Sequence, residues 1–284
     1  DLDKDGKPDL VAEGSPSSIY VFRNVSVASG VLAYTLLTLS SSYVEHFGRI
    51  AVGDLDGDGW PDIALGAYNG GVAGAVSVFR NVTAAVGSLS LSAEQTVATG
   101  GGFIGVVMSD LDLDGRPDIV TTDHFLNRVL FFRNLSTSGT ISFDAPVIIT
   151  GFSINPWGLA VGDLDKDGKP DVIVGNDGST TATILKNAST VGTISFTTVI
   201  TLTGLSTPRG ITIGDFDGDT NLDIAVANAN GTTVSFFRNQ NSITGAISFT
   251  TTANLAFTTG TTSFELFIGY VDGDGKIDLS VANS

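Results

Sequence analysis

The pattern D-x-D-x-D-G-x-x-D, followed by an apolar run, recurs through this 284-residue chain. It starts at Asp1 (DLDKDGKPDL), Asp54 (DLDGDGWPDI), Asp110 (DLDLDGRPDI), Asp163 (DLDKDGKPDV) and, with Thr in place of Gly, at Asp215 (DFDGDTNLDI). A sixth copy begins at Tyr270 (YVDGDGKIDL) and lacks the first Asp. The starts lie 52 to 56 residues apart. A fixed period of this size means that one supersecondary unit is copied along the chain and buries its faces against its neighbours.

Other features keep the same phase. Aromatic-rich stretches end in IYVFRN (19–24), VSVFRN (76–81), VLFFRN (129–134), TILKN (183–187) and VSFFRN (234–239). A Gly-led alternating segment follows each: GVLAY (30–34), GSLSL (87–91), GTISF (139–143), GTISF (192–196) and GAISF (245–249). A short apolar run, such as RIAVGD (49–54), GLAVGD (158–163) or GITIGD (210–215), leads into an Asp loop. Each period therefore reads as four strands: one entering the Asp loop, one leaving it, one ending in the Asn turn, and one carrying the Gly-led segment. Four strands per repeat of about 50 residues predict an all-β chain, a β-propeller of four-stranded antiparallel blades. The second strands (DIALGA, DIVTTD, DVIVGN, DIAVAN) are apolar on both faces, as a strand between neighbouring sheets must be.

Composition removes several function classes. The net charge of −16 opposes binding to nucleic acid or an anionic membrane. With no Cys there is no disulfide, thiolate nucleophile or zinc–cysteine site, and two His, at 46 and 124, are too few for a polyhistidine centre. No apolar run reaches the length of a membrane span. There is no G-x-S-x-G elbow, phosphate-cradling loop or HExxH, so an enzyme is not expected.

Most of the acidic side chains sit in the Asp loops. Side chains at loop positions 1, 3 and 5 converge when the chain curls around a point, and Gly at position 6 permits the turn. A carbonyl at position 7 and a carboxylate at position 9 would complete an oxygen shell suited to Ca²⁺, following the logic of an EF-hand loop shortened to nine residues. Pro8, Pro61, Pro117 and Pro170 stiffen the exit into the next strand. Up to six Ca²⁺ are expected. The fifth and sixth sites should be weaker because Thr220 replaces the Gly and Tyr270 replaces the first Asp; fraying is expected at the first loop.

These phased loops resemble the calcium loops of FG-GAP/VCBS repeat propellers, the family that includes the integrin α head. The second repeat is the most similar, with FG at Phe47–Gly48, the loop at 54–62 and LGAY at 65–68. The VSVFRN and GTISF phrases look more like bacterial secreted repeat proteins. The family pattern implies Asp54, Asp56, Asp58, the Trp60 carbonyl and Asp62 as metal ligands. The equivalents are Asp1, Asp3, Asp5, Lys7 and Asp9; Asp110, Asp112, Asp114, Arg116 and Asp118; and Asp163, Asp165, Asp167, Lys169 and Asp171. In the last two copies they are Asp215, Asp217, Asp219, Asn221 and Asp223, and Asp272, Asp274, Lys276 and Asp278.

We read residues 1–284 as one propeller domain, incomplete at both ends, with neighbouring parts of a longer chain beyond it. The expected role is a calcium-binding extracellular or cell-surface adhesion or recognition module for a protein or glycan. The alternatives are a spacer in a large surface protein and a Ca²⁺-dependent polysaccharide lyase or hydrolase. Recognition is placed on the face away from the Asp loops, near Tyr68, His124, Trp157 and Arg209, where the connections vary between repeats. The in-phase Arg23, Arg80, Arg133, Lys186 and Arg238 are expected to serve the scaffold. The sequons at Asn24, Asn81, Asn134 and Asn187 are expected to reflect a copied Asn turn rather than glycosylation.

Overall fold

A computed structural model describes the chain except residues 15–16, 28–29, 44–47, 69–73, 254, 260–261 and 284. His46 and Phe47 lie outside the described residues. Among the described residues there are 21 strands and no α-helix.

The chain divides into two compact units. The first comprises Asp1–Met108, Gly115–Thr121 and Phe132–Pro146; the second comprises Ser109–Asp114, Thr122–Phe131 and Val147–Ser284. In the first unit, β1 (Leu10–Gly14), β2 (Ser18–Asn24) and β3 (Tyr34–Ser40) form a three-stranded sheet. β4 (Ile50–Gly53), β5 (Asp62–Gly66), β6 (Gly74–Phe79) and β7 (Gln95–Gly101) form a four-stranded antiparallel sheet in sequence order. β8 (Phe103–Ser109) and β9 (Asp118–Asp123) enter and leave the third Asp loop.

In the second unit, β10 (Arg128–Phe132) pairs antiparallel with β11 (Val147–Thr150). Two complete four-stranded antiparallel sheets follow. One is β12 (Pro156–Gly162), β13 (Asp171–Asn176), β14 (Thr181–Asn187) and β15 (Phe196–Leu202). The other is β16 (Pro208–Gly214), β17 (Asp223–Asn228), β18 (Thr233–Phe237) and β19 (Leu255–Thr258). β20 (Ser263–Gly269) pairs with β21 (Asp278–Asn283).

In the second to fifth repeats burial follows strand rank, whereas β1 and β21, the second strands of the first and sixth, are only partly buried. The second strands β5, β9, β13 and β17 are buried at every residue, as their two-sided apolar pattern requires. The fourth strands β11 and β19 are largely exposed. Between successive sheets lie apolar clusters: Leu2, Ile19, Val21, Ile63, Leu65 and Phe79 in the first unit, and Leu164, Ile184, Ile211, Ile224 and Phe237 in the second. Gly158 marks how closely β12 and β16 approach, since a Cβ there would lie 1.8 Å from the Arg209 carbonyl oxygen.

The expected fourth strand needs correction. The Gly-led segments do not join the sheets as continuous strands; the ladder strands start at Tyr34, Gln95, Val147, Phe196 and Leu255. The segment instead folds back on the Asn turn through single bridges, Asn81 to Leu91, Asn134 to Phe143 and Asn239 to Phe249. Its tip is a tight turn in which Thr190 and Thr193 exchange backbone hydrogen bonds, with Gly192 at φ +85°. The left-handed glycine reverses the chain before a ladder can extend.

Candidate metal loops and the opposite face

Each Asp loop is a spiral of carboxylate caps on its own backbone. In the second loop, Asp54 accepts from the N–H groups of Gly57 and Gly59, Asp56 from Asp58, and Asp58 from Trp60, all at 2.8–3.0 Å. Equivalent bonds recur in the first, fourth and fifth loops. The curl needs two left-handed residues. Position 6 is Gly at φ +86° to +90° in the first four loops and Thr220 at +70° in the fifth. Position 4 is left-handed as well, and there Lys4, Leu113 and Lys166 stand at φ +57° to +59°. The sequence reading missed this second strained position because these side chains carry no turn signal.

The position-9 carboxylate closes the loop. Asp62 accepts from Leu55 N–H at 2.8 Å and from Asn81 N–H at 2.7 Å, and it is fully buried. Asp171 makes the same pair of bonds with Leu164 and Asn187, and Asp223 with Phe216 and Asn239. Burial pushes Asp62 up to about 6 and Asp171 up to about 7, because a desolvated carboxylate near like charges resists ionisation. A bound cation would reverse that preference.

Carboxylate oxygens from three residues lie within 4.8 Å of one another in four loops: Asp1, Asp3 and Asp5; Asp54, Asp56 and Asp58; Asp163, Asp165 and Asp171; and Asp215, Asp217 and Asp223. The unit boundary falls inside the third loop. There Asp114 N–H donates to Asp110 and Asp112, and Asp118 accepts from Asn134 N–H. Among the described residues, Asp272, Asp274 and Asp278 form no such group. The donors are all oxygen, which fits a hard divalent cation such as Ca²⁺ and not a soft metal.

Four of the five in-phase basic residues prove to be counter-ions of these loops. Arg23 pairs with Asp3, Arg80 with Asp56 and Asp58, Lys186 with Asp165 and Asp167, and Arg238 with Asp217 and Asp219. The hydrogen bond and charge of Asp56 hold the Arg80 guanidinium above its ordinary value. One cation against four carboxylates leaves the second and fifth loops strongly negative, whereas Lys4 and Lys7 in the first loop and Lys166 and Lys169 in the fourth offset more of the charge.

Position 2, which sequence reasoning passed over, anchors the loop. Leu2, Leu55, Leu111 and Leu164 are at most 2% exposed, each side chain contributing roughly 1.5–3 kcal/mol by burial. At position 7, Trp60 is half-buried, and the Lys4 ammonium lies 4.7 Å from its ring centre. The sequon asparagines Asn24, Asn81, Asn134 and Asn187 are buried, with their amides spent on loop carbonyls.

At the other strand ends, the second unit brings three of the four expected recognition residues together. His124 packs edge-on against Trp157 at 5.2 Å. The Arg209 guanidinium lies between Trp157, at 4.6 Å, and Phe264, at 4.8 Å, and donates to Asp177 at 2.6 Å. Trp157, Arg209 and Phe264 begin equivalent first strands in successive repeats, so the stack is a ladder across three repeats. Burial holds the His124 imidazole below its usual value. An open, polar depression of about 470 Å³ adjoins Arg209, lined by Asp177, Ser179, Thr207 and Asn230. Tyr68 belongs to the first unit, just after β5.

The FG-GAP-like repeat family matches at residues 1–65, 54–121, 110–174, 164–226 and 215–281. The chain belongs to this family. Its β-propeller fold is shared with solved structures of low sequence identity. The structure titled BBS1N in complex with ARL6DN, soaked with lead, superposes with a TM-score of 0.60 at 15% identity, covering 100% of this chain and 74% of that one. A protein from Lactobacillus plantarum gives 0.57 at 18% identity, covering 86% and 66%. The rhamnogalacturonan lyase YesW gives 0.51 at 17% identity, covering 99% of this chain and 54% of the lyase. No curated protein matches the chain in sequence. As an FG-GAP repeat propeller the chain is a ligand-binding or structural module. No helix among the described residues is long and apolar enough to cross a membrane.

Proposed function

We propose that this FG-GAP repeat chain binds Ca²⁺ in its Asp loops and serves, outside the cell or on its surface, as a non-enzymatic adhesion or recognition module for a protein or glycan. The observation that carries this reading is the recurrence, in phase, of all-oxygen groups of three carboxylates within 4.8 Å. The loop residues would hold the ion, which would neutralise the carboxylates that the neighbouring basic residues leave in excess, most of all in the second and fifth loops. Calorimetric titration of chelated protein with Ca²⁺ tests it: several sites should fill, and Mg²⁺ should compete poorly. Absence of binding at millimolar Ca²⁺ would overturn the reading.

A second reading is a spacer with no ligand of its own. It draws support from the Trp157–Arg209–Phe264 stack, whose members satisfy one another. A glycan array with and without Ca²⁺ separates the two. Turnover of an acidic polysaccharide would instead favour a lyase.

A further inference from the structure

The contacts that hold positions 2 and 3 of a loop come largely from the repeat that follows it. The Asn81 amide donates to the Leu2 carbonyl at 2.8 Å, Asn134 to Leu55 at 2.7 Å, Asn187 to Leu111 at 2.8 Å and Asn239 to Leu164 at 2.8 Å. Each asparagine ends or follows the third strand of one repeat, and each carbonyl is position 2 of the previous loop. The Gly-led turn of the later repeat reaches position 3 of the same loop. Gly139 N–H donates to the Asp56 carboxylate at 2.9 Å, and Gly192 N–H to Asp112 at 2.8 Å. Gly87 and Gly245 donate to the backbone carbonyls of Asp3 and Asp165.

In the second loop the outcome is complete. Leu55 N–H is held by Asp62 of its own repeat, and the Leu55 carbonyl is held by Asn134 of the next. The Asp56 Oδ2 accepts from Arg80 of its own repeat and from Gly139 of the next.

We propose that each metal loop is positioned by the following repeat, through its buried asparagine and its Gly-led turn, so that cation affinity at one loop is set by residues about 80 positions downstream. This inference rests on the calcium reading above. The asparagines and turn glycines are positioning residues: they touch the loop backbone and the Asp56 or Asp112 carboxylate, and hold the ligands in place against their mutual repulsion.

Trp60 makes the second loop readable, because among the Asp loops it alone carries a Trp; the first loop, whose Lys4 lies over the same ring, is silenced in every variant by Asp1→Asn and Asp5→Asn. Trp157 starts β12, roughly 20 Å along an extended strand from the loop at Asp163. The experiment is terbium(III) titration of the whole chain in a Trp157→Phe background, reading emission sensitised by Trp60. Asn134→Ala should weaken terbium binding at 54–62 about tenfold. Asn187→Ala removes the equivalent bonds one repeat later and should leave that signal within twofold. Equal effects of the two substitutions, or no effect of Asn134→Ala, would overturn the proposal while leaving cation binding intact. If the Trp157→Phe protein shows no sensitised binding at all, the calcium reading itself fails. Should Asn134→Ala not fold by circular dichroism, Asn134→Gln, which displaces the donor by one methylene, is titrated against Asn187→Gln with the same two criteria.

Discussion

Thr220 carries a β-branched side chain at φ +70°, where the four preceding loops have Gly. An L-residue in that region costs about 1–2 kcal/mol. Thr220→Gly should therefore stabilise the chain by about 1 kcal/mol in urea unfolding, with a tighter fifth site in calcium titration. Glu13 makes a second residue-scale prediction. Burial alone pushes its carboxyl up to about 7, and its Oε1 has no hydrogen-bond partner. Because the folded value is raised, its contribution is fully present below the ordinary carboxylate range and is lost as pH rises through about 7. In saturating Ca²⁺, Glu13→Gln should raise the melting temperature more at pH 8 than at pH 5; an equal change at both would contradict the burial argument. At this scale the sequence shows the glycine at position 6, because residue type and conformation agree there. It hides the left-handed position 4, because Lys4, Leu113 and Lys166 take that conformation against their preference.

The β12–β16 approach sets the prediction for elements. A methyl group on residue 158 would collide with backbone, which cannot rotate away as a side chain can. Gly158→Ala should destabilise by at least the 1–3 kcal/mol typical of overpacking, read from the denaturant midpoint. Strands one to three are legible in sequence because their apolar runs end at strong turn signals. The fourth is not. GTISF alternates as a strand does, yet Gly192 turns it back, and the true strand lies in the less regular Phe196–Leu202. The counter-ion role of Arg80 shows as a period. The Asn134 contact does not, because its acceptor is a main-chain carbonyl 79 residues away, and any residue type supplies one.

For the molecule as a whole, metal and stability are linked. An ion that binds only the folded chain adds roughly 2.7 kcal/mol per site at a free concentration 100 times its dissociation constant. Chelation should lower the melting temperature by many degrees, and calorimetry in calcium and in chelator measures the difference. Unchanged unfolding would make the loops plain turns. The two-unit division was not legible beforehand, since it depends on contacts between repeats rather than on pattern within one, whereas the position-2 anchors do carry a signal, the apolar residue that recurs there in all six copies.

The buried asparagines have a consequence for making the protein. Asn24, Asn81, Asn134 and Asn187 each satisfy the acceptor rule for N-linked sugar, and oligosaccharyl transfer acts on extended chain as it emerges. A sugar attached to Asn134 would occupy the amide that grips Leu55 and Pro117, at a site with no solvent exposure. Modification and blade assembly therefore exclude each other. In a eukaryotic secretory host the soluble, calcium-responsive product should leave the cell unglycosylated at these positions, with the sugar-bearing fraction held back by quality control. Mass spectrometry of the two pools would show the partition.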